Sequence, residues 1–554
     1  MSTTPTIDPA GAADPPQSPA VTGRPTGVSR ARMFTAVVLI VLFSEIAPIQ
    51  TTMAATALEK IAASFPGSGT NIAWMIIMSG LVGAAAAPLI GRIGDVWGMK
   101  RTFVTCGALF AAGCLVCALA DSWAVFLFGR CLQSFAVANA VLAYGLVRDL
   151  LPRKHMALGF GAIAAGFGFA TAFAPLVGGW LTRAHGWRAA FWLSLGFMTV
   201  MIALVAVFVP DSKPIARQRL GFTGAVLLTF GAALVIVYVD RGQVWGWTRP
   251  ASVAGLACGL ALLALFVLAL RRASTPLIDP RVLFQPRFGL LLAVGLLASC
   301  MIGVQTYAIT YMARTPSPGT IENGIVASTL AKVAQASGVR LPPEAVQVSL
   351  IPGFSYSSGF SSHDYALRIA VLQGVITIAF GVIGAIVARK FGARLPLLSA
   401  AAVFAVIGLI EAVGLHTWDI LTVTNAAFGS ALGFFYTAAA VLVAQTVPQE
   451  QTCVGFGVFS LVQGVGTAIG VAVVTAFAAA HPMSASVRVA GRPPQLSPIP
   501  KVFGDQGFEL GFWFATATAL AALVLALVMR GSRPPVIGER TGTSAPSLPP
   551  NPAG

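Results

Sequence analysis

Polar and apolar positions in this chain are sorted into blocks. Apolar runs of about twenty to thirty residues alternate with short polar turns. Fourteen runs stand out: 32–53, 71–90, 102–120, 123–147, 156–182, 188–209, 219–240, 250–271, 287–312, 368–388, 394–415, 419–447, 452–480 and 510–530. About 20 helical residues cross the hydrocarbon of a bilayer, and a soluble core helix needs no such length. In hydrocarbon each run must satisfy its own backbone hydrogen bonds, so helices are predicted throughout. The 58 glycines fit this reading, because small residues let membrane helices pack closely. The predicted class is an all-α integral membrane protein.

Composition sharpens the picture. Charged residues make up 10% of the chain and apolar ones 56%, with a mean hydropathy of +0.82. A soluble domain carries about 25% charged residues. The net charge of +16 raises nucleic acid as a partner, but its distribution points elsewhere. With the N-terminus inside, 22 Lys/Arg fall on the inner side and 12 outside, with Arg130 within a span. The short inner segments are dense in charge: Arg153-Lys154, Arg217 with Arg219, Arg271-Arg272 and Arg389-Lys390. That is the positive-inside pattern of a membrane protein. No basic surface is interleaved with aromatics, so nucleic acid is excluded as a partner and lipid is expected.

Six of the seven cysteines lie within spans, and Cys453 lies at the inner end of another, so no disulfide framework is expected. Cys114-Leu-Val-Cys117 has redox-pair spacing but sits mid-span, where packing is the better reading. There is no phosphate-cradling Gly-x-x-x-x-Gly-Lys-Ser/Thr, so ATP does not drive this chain. No metal-ligand cluster or nucleophile triad spacing occurs, and neither a metal nor enzyme activity is expected.

The spans divide as six, two and six. Residues 32–209 form one half, 210–286 an inserted pair with charged inner linkers, and 287–530 the other half. Residues 1–31, rich in Pro, Ala, Thr and Ser, read as a disordered inner tail without a secretory signal, and 531–554 as a similar tail. Two outer loops are long. Residues 313–367 hold a helix-like stretch, Glu322 to Ser337, and a Gly/Ser run, Gly353 to Ser362; residues 481–509 are rich in Pro and basic groups. The first loop is either a cap over the outer mouth or an exposed, partly ordered insertion.

Candidate chemistry concentrates at a few places. The turn Gly91-Arg92-Ile93-Gly94-Asp95-Val96-Trp97-Gly98-Met99-Lys100-Arg101 packs glycines, a carboxylate and a basic pair between two spans. A weaker echo, Ala385 to Arg394, falls after the second span of the second half, with Arg389 where the first half has Asp95. Helix 4 carries Arg130-Cys-Leu-Gln133-Ser134, and a buried Arg needs a partner unless it snorkels. Helix 5 carries Gly161 and then Ala174-Pro175-Leu-Val-Gly178-Gly179, a kinked, small-residue face.

These places resemble the major facilitator superfamily, in its fourteen-helix drug:proton antiporter branch. The superfamily's turn runs Gly-x-Leu-Ala-Asp-Arg-x-Gly-Arg-Lys, and Gly91, Asp95, Gly98 and Lys100 match it. The family's Arg-x-x-Gln-Gly in helix 4 is matched except for Ser134, and its Gly-Pro-x-x-Gly-Gly in helix 5 except for Ala174. Asp240 to Trp247 is similar to the turn between the branch's two extra helices. The resemblance implies two six-helix halves plus two inserted helices. It implies a charge clasp carried by Asp95 and Lys100 with Arg101, joined by Asp149 at the inner end of helix 4. It also implies proton coupling through Arg130, an exporter's repacking face at Gly161, Pro175, Gly178 and Gly179, and a substrate site between the halves.

Helix 1 departs from the branch. Gln50-Thr51-Thr52 stands where the branch has Asp-Thr-Thr, and a carboxylate appears at Glu45 instead, with Pro48 between. Glu45 falls about 18 Å along the helix from its start, near mid-bilayer. An unpaired carboxyl in hydrocarbon favours its neutral form and can trade a proton for a cation. Glu45 is therefore the expected proton and cation site; the alternative is a packing Glu bonded to a hydroxyl such as that of Ser44. Candidates for the cavity wall are Gln50, Gln133, Asn139, Tyr144, Gln305, Tyr307, Tyr311, Asn425 and Tyr436.

The expectation is a secondary transporter that exports small amphipathic or cationic compounds by alternating access, driven by the proton gradient with no other cofactor. It is expected as a monomer in a bacterial plasma membrane with both termini cytoplasmic, an accessory periplasmic partner remaining open. The alternatives are a uniporter or importer of a metabolite, and a non-transporting sensor or assembly subunit.

Overall fold

The computed structural model describes residues 30–66, 74–211, 222–272, 277–338, 340, 342–353, 355–356, 358–414, 416–490 and 493–529. The two expected tails, apart from Arg30 and Ala31, lie outside the described residues. Helices dominate. The first half comprises α1 (Arg30–Ser44), α2 (Ile46–Thr56), the short α3 (Leu58–Ser64), α4 (Trp74–Trp97), α5 (Met99–Leu119), α6 (Trp123–Ser134), α7 (Asn139–Leu150), α8 (Arg153–Ala184) and α9 (Arg188–Phe208). The inserted pair is α10 (Phe222–Trp245) and α11 (Pro250–Arg272), followed by the single turn α12 (Pro280–Leu283). The second half comprises α13 (Pro286–Arg314), α14 (Pro318–Ser337), α15 (Ser362–Tyr365), α16 (Val371–Phe391), α17 (Arg394–Ala412), α18 (Trp418–Thr446), α19 (Thr452–Ala480) and α20 (Asp505–Val528).

Among the described residues, twelve helices are long and apolar enough to cross a membrane. The expected count of fourteen is larger by two. Helices α4 and α10, which hold the other two expected spans, run for 24 residues each. Leu193, Val200 and Val207 on α9, and Leu260, Leu265 and Leu268 on α11, are exposed. Apolar surface on that scale calls for lipid rather than water.

Two of the spans are broken. Pro48 has no N–H to offer the carbonyl of Ser44, and the helix parts at Glu45, whose ψ is −6°. Between α6 and α7 the chain tightens into a 3-10 turn, Phe135–Ala138.

The repeat is visible in the turns. Gly98 (φ 103°, ψ 130°) joins α4 to α5, and Gly392 (φ 91°, ψ 153°) joins α16 to α17, a backbone that disfavours any residue with a Cβ. The basic residue two positions later plays the same part in each half. Lys100 Nζ donates to the carbonyl of Ala206 at the end of α9 (2.9 Å), and Arg394 donates to those of Ala526 and Leu527 at the end of α20. Cations at a helix C-terminus satisfy its last carbonyls and its dipole.

The halves meet along two helix pairs, α8 against α16 and α4 against α19. The first pair is backbone on backbone: a Cβ on Gly374 would lie 2.4 Å from the Gly168 carbonyl oxygen, and one on Gly168 would lie 2.6 Å from that of Gly374.

Beyond the helix ends the two long loops form one small unit. Strand β1 (Val346–Leu350) pairs antiparallel with β2 (Pro482–Val489), which pairs antiparallel with β3 (Gln495–Phe503), in the order β1-β2-β3. The expected loop 481–509 is thus largely sheet, while the expected helix in 313–367 is present as α14. Ile321 and Ile325 of α14 pack on Met483, Ala485, Ile499 and Val502. Tyr356 donates to the carbonyl of Phe503 (2.7 Å), Ser355 N–H to Asp505, and Tyr311 to the carbonyl of Lys501, so the sheet is fastened to α13 and α20 of the second half.

Gly374→Val places branched carbons against the backbone of α8. It is expected to cost about 1–3 kcal/mol, the usual penalty of overpacking, and to lower the Tm of the purified protein in detergent. Gly255→Val on α11, where nothing lies within 4 Å of a new Cβ, is the control and is expected to leave the Tm near that of the native chain.

Candidate functional site

At one end of the bundle Asp95 reaches out of α4 across the boundary between the halves. Its Oδ1 accepts the N–H of Cys453 at 3.3 Å and its Oδ2 that of Val454 at 3.2 Å. These are among the first amides of α19, which have no carbonyl of their own helix to bond, and the helix dipole is positive there. The approach depends on Gly91, where a Cβ would lie 2.5 Å from the Cys453 carbonyl oxygen. Arg92, 2% exposed, is close enough to Asp95 for their charges to interact. From α7, Arg148 donates to the Thr452 hydroxyl and to the Val447 carbonyl (3.2 Å), and Asp149 meets Gln449.

Lys100 corrects the expected clasp. It pairs at 2.9 Å with Asp211, just after α9, within its own half, and its hydrogen bond and charge hold the Asp211 carboxyl below the usual carboxylate range. Arg101 is exposed. The cross-boundary contacts are therefore those of Asp95 and Arg148, with Asp149 beside them.

Between the halves lie two neighbouring cavities that share Pro48, Thr51 and Phe167 as walls. The one nearer the clasp, about 370 Å³, holds Glu45. The same cavity is lined by Tyr144 of α7, Phe167 of α8, Tyr436 of α18 and Phe456 of α19, of which Tyr144 and Tyr436 lie near enough to feel the Glu45 charge. Tyr144 stacks on Phe456 across the boundary (4.7 Å, 12°), and Phe167 meets Tyr436 at 5.1 Å. Glu45 is 6% exposed, and among the described residues its carboxyl makes no hydrogen bond. Ser44, the alternative partner weighed from sequence, donates to the carbonyl of Val41 instead (2.9 Å). Gly166 leaves room for the side chain, since a Cβ there would lie 2.8 Å from Glu45 Cγ.

The second cavity, about 360 Å³, opens toward the sheet. It is lined by hydroxyls and amides, among them Thr52, Thr310, Gln305, Gln373 and Asn425, with Arg314 at its rim.

Arg130 does not snorkel. It is fully buried, and it donates to the Met75 carbonyl (3.0 Å), to Gln50 Oε1 (2.5 Å) and to Gln133 Oε1 (2.7 Å). Gln50 and Gln133 are thus acceptors for Arg130 and line neither cavity.

A family model, Major Facilitator Superfamily, matches residues 38–331 and 343–552. The chain belongs to that superfamily. It is a membrane protein with the facilitator fold. An uncharacterised MFS-type transporter of Mycobacterium tuberculosis is 27% identical over 54% of this chain and 43% of its own length. A multidrug resistance protein B homolog of the same organism is 30% identical over 45% of this chain and 46% of its own. This facilitator therefore spans about half the length of those relatives. The human organic anion transporter superposes with a TM-score of 0.59 at 15% identity, covering 89% of this chain and 99% of that one, which speaks for the fold alone.

The exporter motif divides. Gly161 faces α16, with a Cβ there 2.7 Å from the Gly381 carbonyl oxygen, and Gly178 faces Met53 and Thr56 of α2. Gly179 faces open space, so it is no part of a packed face. Pro175 lines the sheet-end cavity. Of the expected wall residues, Tyr144 and Tyr436 line the clasp-side cavity, and Gln305 and Asn425 the other. Asn139 is fully buried and lines neither. Tyr307 stacks on Tyr311 under the sheet, away from both cavities. Sequence reasoning missed Phe167 and Phe456; the glycines flanking Phe167 were the one available signal.

Asp95→Asn keeps the shape of the clasp and removes its charge. The expected cost is about 1–2 kcal/mol, a factor of 5–30 in the open population. Maleimide labelling of Cys453 reads it, in a background whose other six cysteines are replaced, and a rate increase on that scale is expected. An unchanged rate means that the charge does not hold the halves together.

Proposed function

We propose that this facilitator exports small amphipathic cations in exchange for protons, and that Glu45 is the carboxyl that proton and cation share. One observation carries the reading: an unpartnered carboxyl in an aromatic cavity built from both halves. An ionised carboxylate buried without a donor is costly, so the empty site takes a proton. A lipophilic cation offers the alternative neutralisation, and the rings of Tyr144, Phe167, Tyr436 and Phe456 add cation–π attraction. The two occupants exclude each other, which is the requirement for exchange.

Alternating access follows from the boundary. The clasp of Asp95 on α19 holds one end shut while the sheet-end cavity is open. Rocking of the halves about α8 and α16 breaks the clasp and turns Glu45 to the other side. Gln50 lies five residues after Glu45 on the same broken span, about 7.5 Å of rise, and ties it to Arg130. Arg130 thereby couples movement of the Glu45 segment to α6. The relative named as a multidrug resistance protein supports a broad range of substrates. In this reading the chain works as a monomer in a bacterial plasma membrane, with the clasp end and both termini cytoplasmic, an orientation that the positive-inside distribution of Lys and Arg supports.

Inverted vesicles with an imposed proton gradient test the reading, with ethidium as the cation. The native chain is expected to collapse the gradient when ethidium is added. Glu45→Gln is expected to slow the collapse at least about tenfold, equivalent to losing about 1.4 kcal/mol of charge-assisted binding. No collapse with the native chain sinks cation–proton exchange; equal collapse with both chains moves the shared site away from Glu45.

A further inference from the structure

The sheet-end cavity has a titratable group behind its wall that the exchange at Glu45 does not use. Gln305 of α13 lines this cavity, and its Nε2 donates to Glu411 Oε1 of α17 at 2.9 Å. Both side chains are fully buried. The bonded pair leaves two acceptors without a donor, Gln305 Oε1 and Glu411 Oε2. Among the described residues no Lys or Arg pairs with Glu411. The group facing it from α18 is Thr424, a neutral hydroxyl within hydrogen-bonding reach of the carboxyl that also donates to the Leu421 carbonyl (3.2 Å). The turn after α17 places His416, whose Nε2 bonds the Glu411 backbone carbonyl (2.9 Å) rather than its carboxyl. Behind His416 stand two acids of α20: Asp505, 3.9 Å from Nδ1, and Glu509. Among the described residues no ion pair supplies a cation to an ionised Glu411.

An ionised carboxylate in this position would be buried with only neutral donors, the Gln305 amide and the Thr424 hydroxyl, which is costly. A proton on Glu411 removes that charge and supplies the O–H donor that the pair lacks. An acid and a primary amide can then bond reciprocally, amide N–H to acid carbonyl and acid O–H to amide carbonyl. We propose that Glu411 is a second proton-carrying carboxyl of this transporter, coupled to the contents of the sheet-end cavity through Gln305. The inference rests on the proton-coupled reading above but not on Glu45 as the cation site.

The chemistry is a proton transfer alone. The proton comes from water at the sheet end, forms an O–H bond on Glu411, and returns to water when that bond breaks. On release the carboxylate needs further donors, and the Gln305 amide must reorient to serve it. A molecule in the cavity with a hydroxyl or N–H group competes for the Gln305 carbonyl, so occupancy and protonation are linked.

Infrared difference spectroscopy on the full-length protein in lipid reads this without transport. At neutral pH the native chain is expected to show the carbonyl stretch of a protonated carboxyl that is absent from Glu411→Gln. Gln305→Leu is expected to shift that band to higher frequency, because the acid loses its amide partner. A native spectrum without a band removed by Glu411→Gln overturns the proton on Glu411, and a band that Gln305→Leu leaves in place overturns the coupling. Should Glu411→Gln not fold, Glu411→Asp keeps the acid and is expected to move the band; a spectrum identical to native overturns the proposal. In reconstituted vesicles Glu411→Gln is expected to carry fewer protons per ethidium than the native chain, and an unchanged ratio overturns a role in coupling. Failure of the native chain to collapse any gradient would defeat the exchange reading, and the infrared band would still report on Glu411.

Discussion

The bond of Asp95 to the first amides of α19 is the constraint on which the rest of the molecule depends. It joins the halves at one end through a contact that is specific but not strong. A carboxylate at a helix N-terminus contributes about 2 kcal/mol at most. A fully buried ion pair in its place would leave two uncompensated charges whenever the halves parted. Here, parting exposes a carboxylate and free amides to water, which solvates both. The contact also requires the backbones to touch, and Gly91 against Cys453 shows how little room there is. A side chain at residue 91 would hold the carboxylate away from its donors. The neighbouring bonds of Arg148 to Thr452 and Val447 are of the same reversible kind.

The two halves share a scaffold and differ in what they do at the boundary. Gly98 and Gly392 make the same turn, and Lys100 and Arg394 cap the last helix of their own half in the same way. These contacts tie the turn to the last helix within each half. The departure is at the position three residues before the glycine, where the first half has Asp95 and the second an exposed Arg389. Only the acid suits a helix N-terminus. The clasp is therefore built once, on the α4–α19 side, while α8 and α16 meet closely at small residues such as Gly168 and Gly374. A boundary with one polar latch and one smooth face has a natural axis for rocking.

Much of this was legible in the sequence, for physical reasons that also mark the limit. Membrane helices are dictated locally by length and apolarity, so an all-helical membrane fold follows from the pattern of residues. The burial of Glu45 follows from its place in helix 1, and the helix break follows from Pro48. Partners were not legible, because they lie far apart in the chain. Lys100 has a basic residue's usual place in the motif, yet its carboxylate partner is Asp211, outside the motif. Gln50 looked like a wall residue because it replaces an acid, and it is in fact an acceptor for Arg130. The sheet was hidden for the same reason: Val346 pairs with Val489, and β3 contains Pro498 and Pro500, which only an edge strand tolerates.

The two buried carboxyls place different demands on the same motion. Glu45 lies at a helix break, in a cavity walled by both halves, so any rocking changes its surroundings. Glu411 lies within the second half, held by Gln305 of α13 and faced by α18, and a rigid rotation of the halves leaves those contacts intact. Its surroundings change when something alters Gln305, and that residue forms part of the wall of the sheet-end cavity. Glu45 is thus placed to respond to which end of the boundary is open. Glu411 is placed to respond to whether the sheet-end cavity is filled. An exchanger needs both responses, because a transporter that rocks without regard to occupancy dissipates the gradient it runs on.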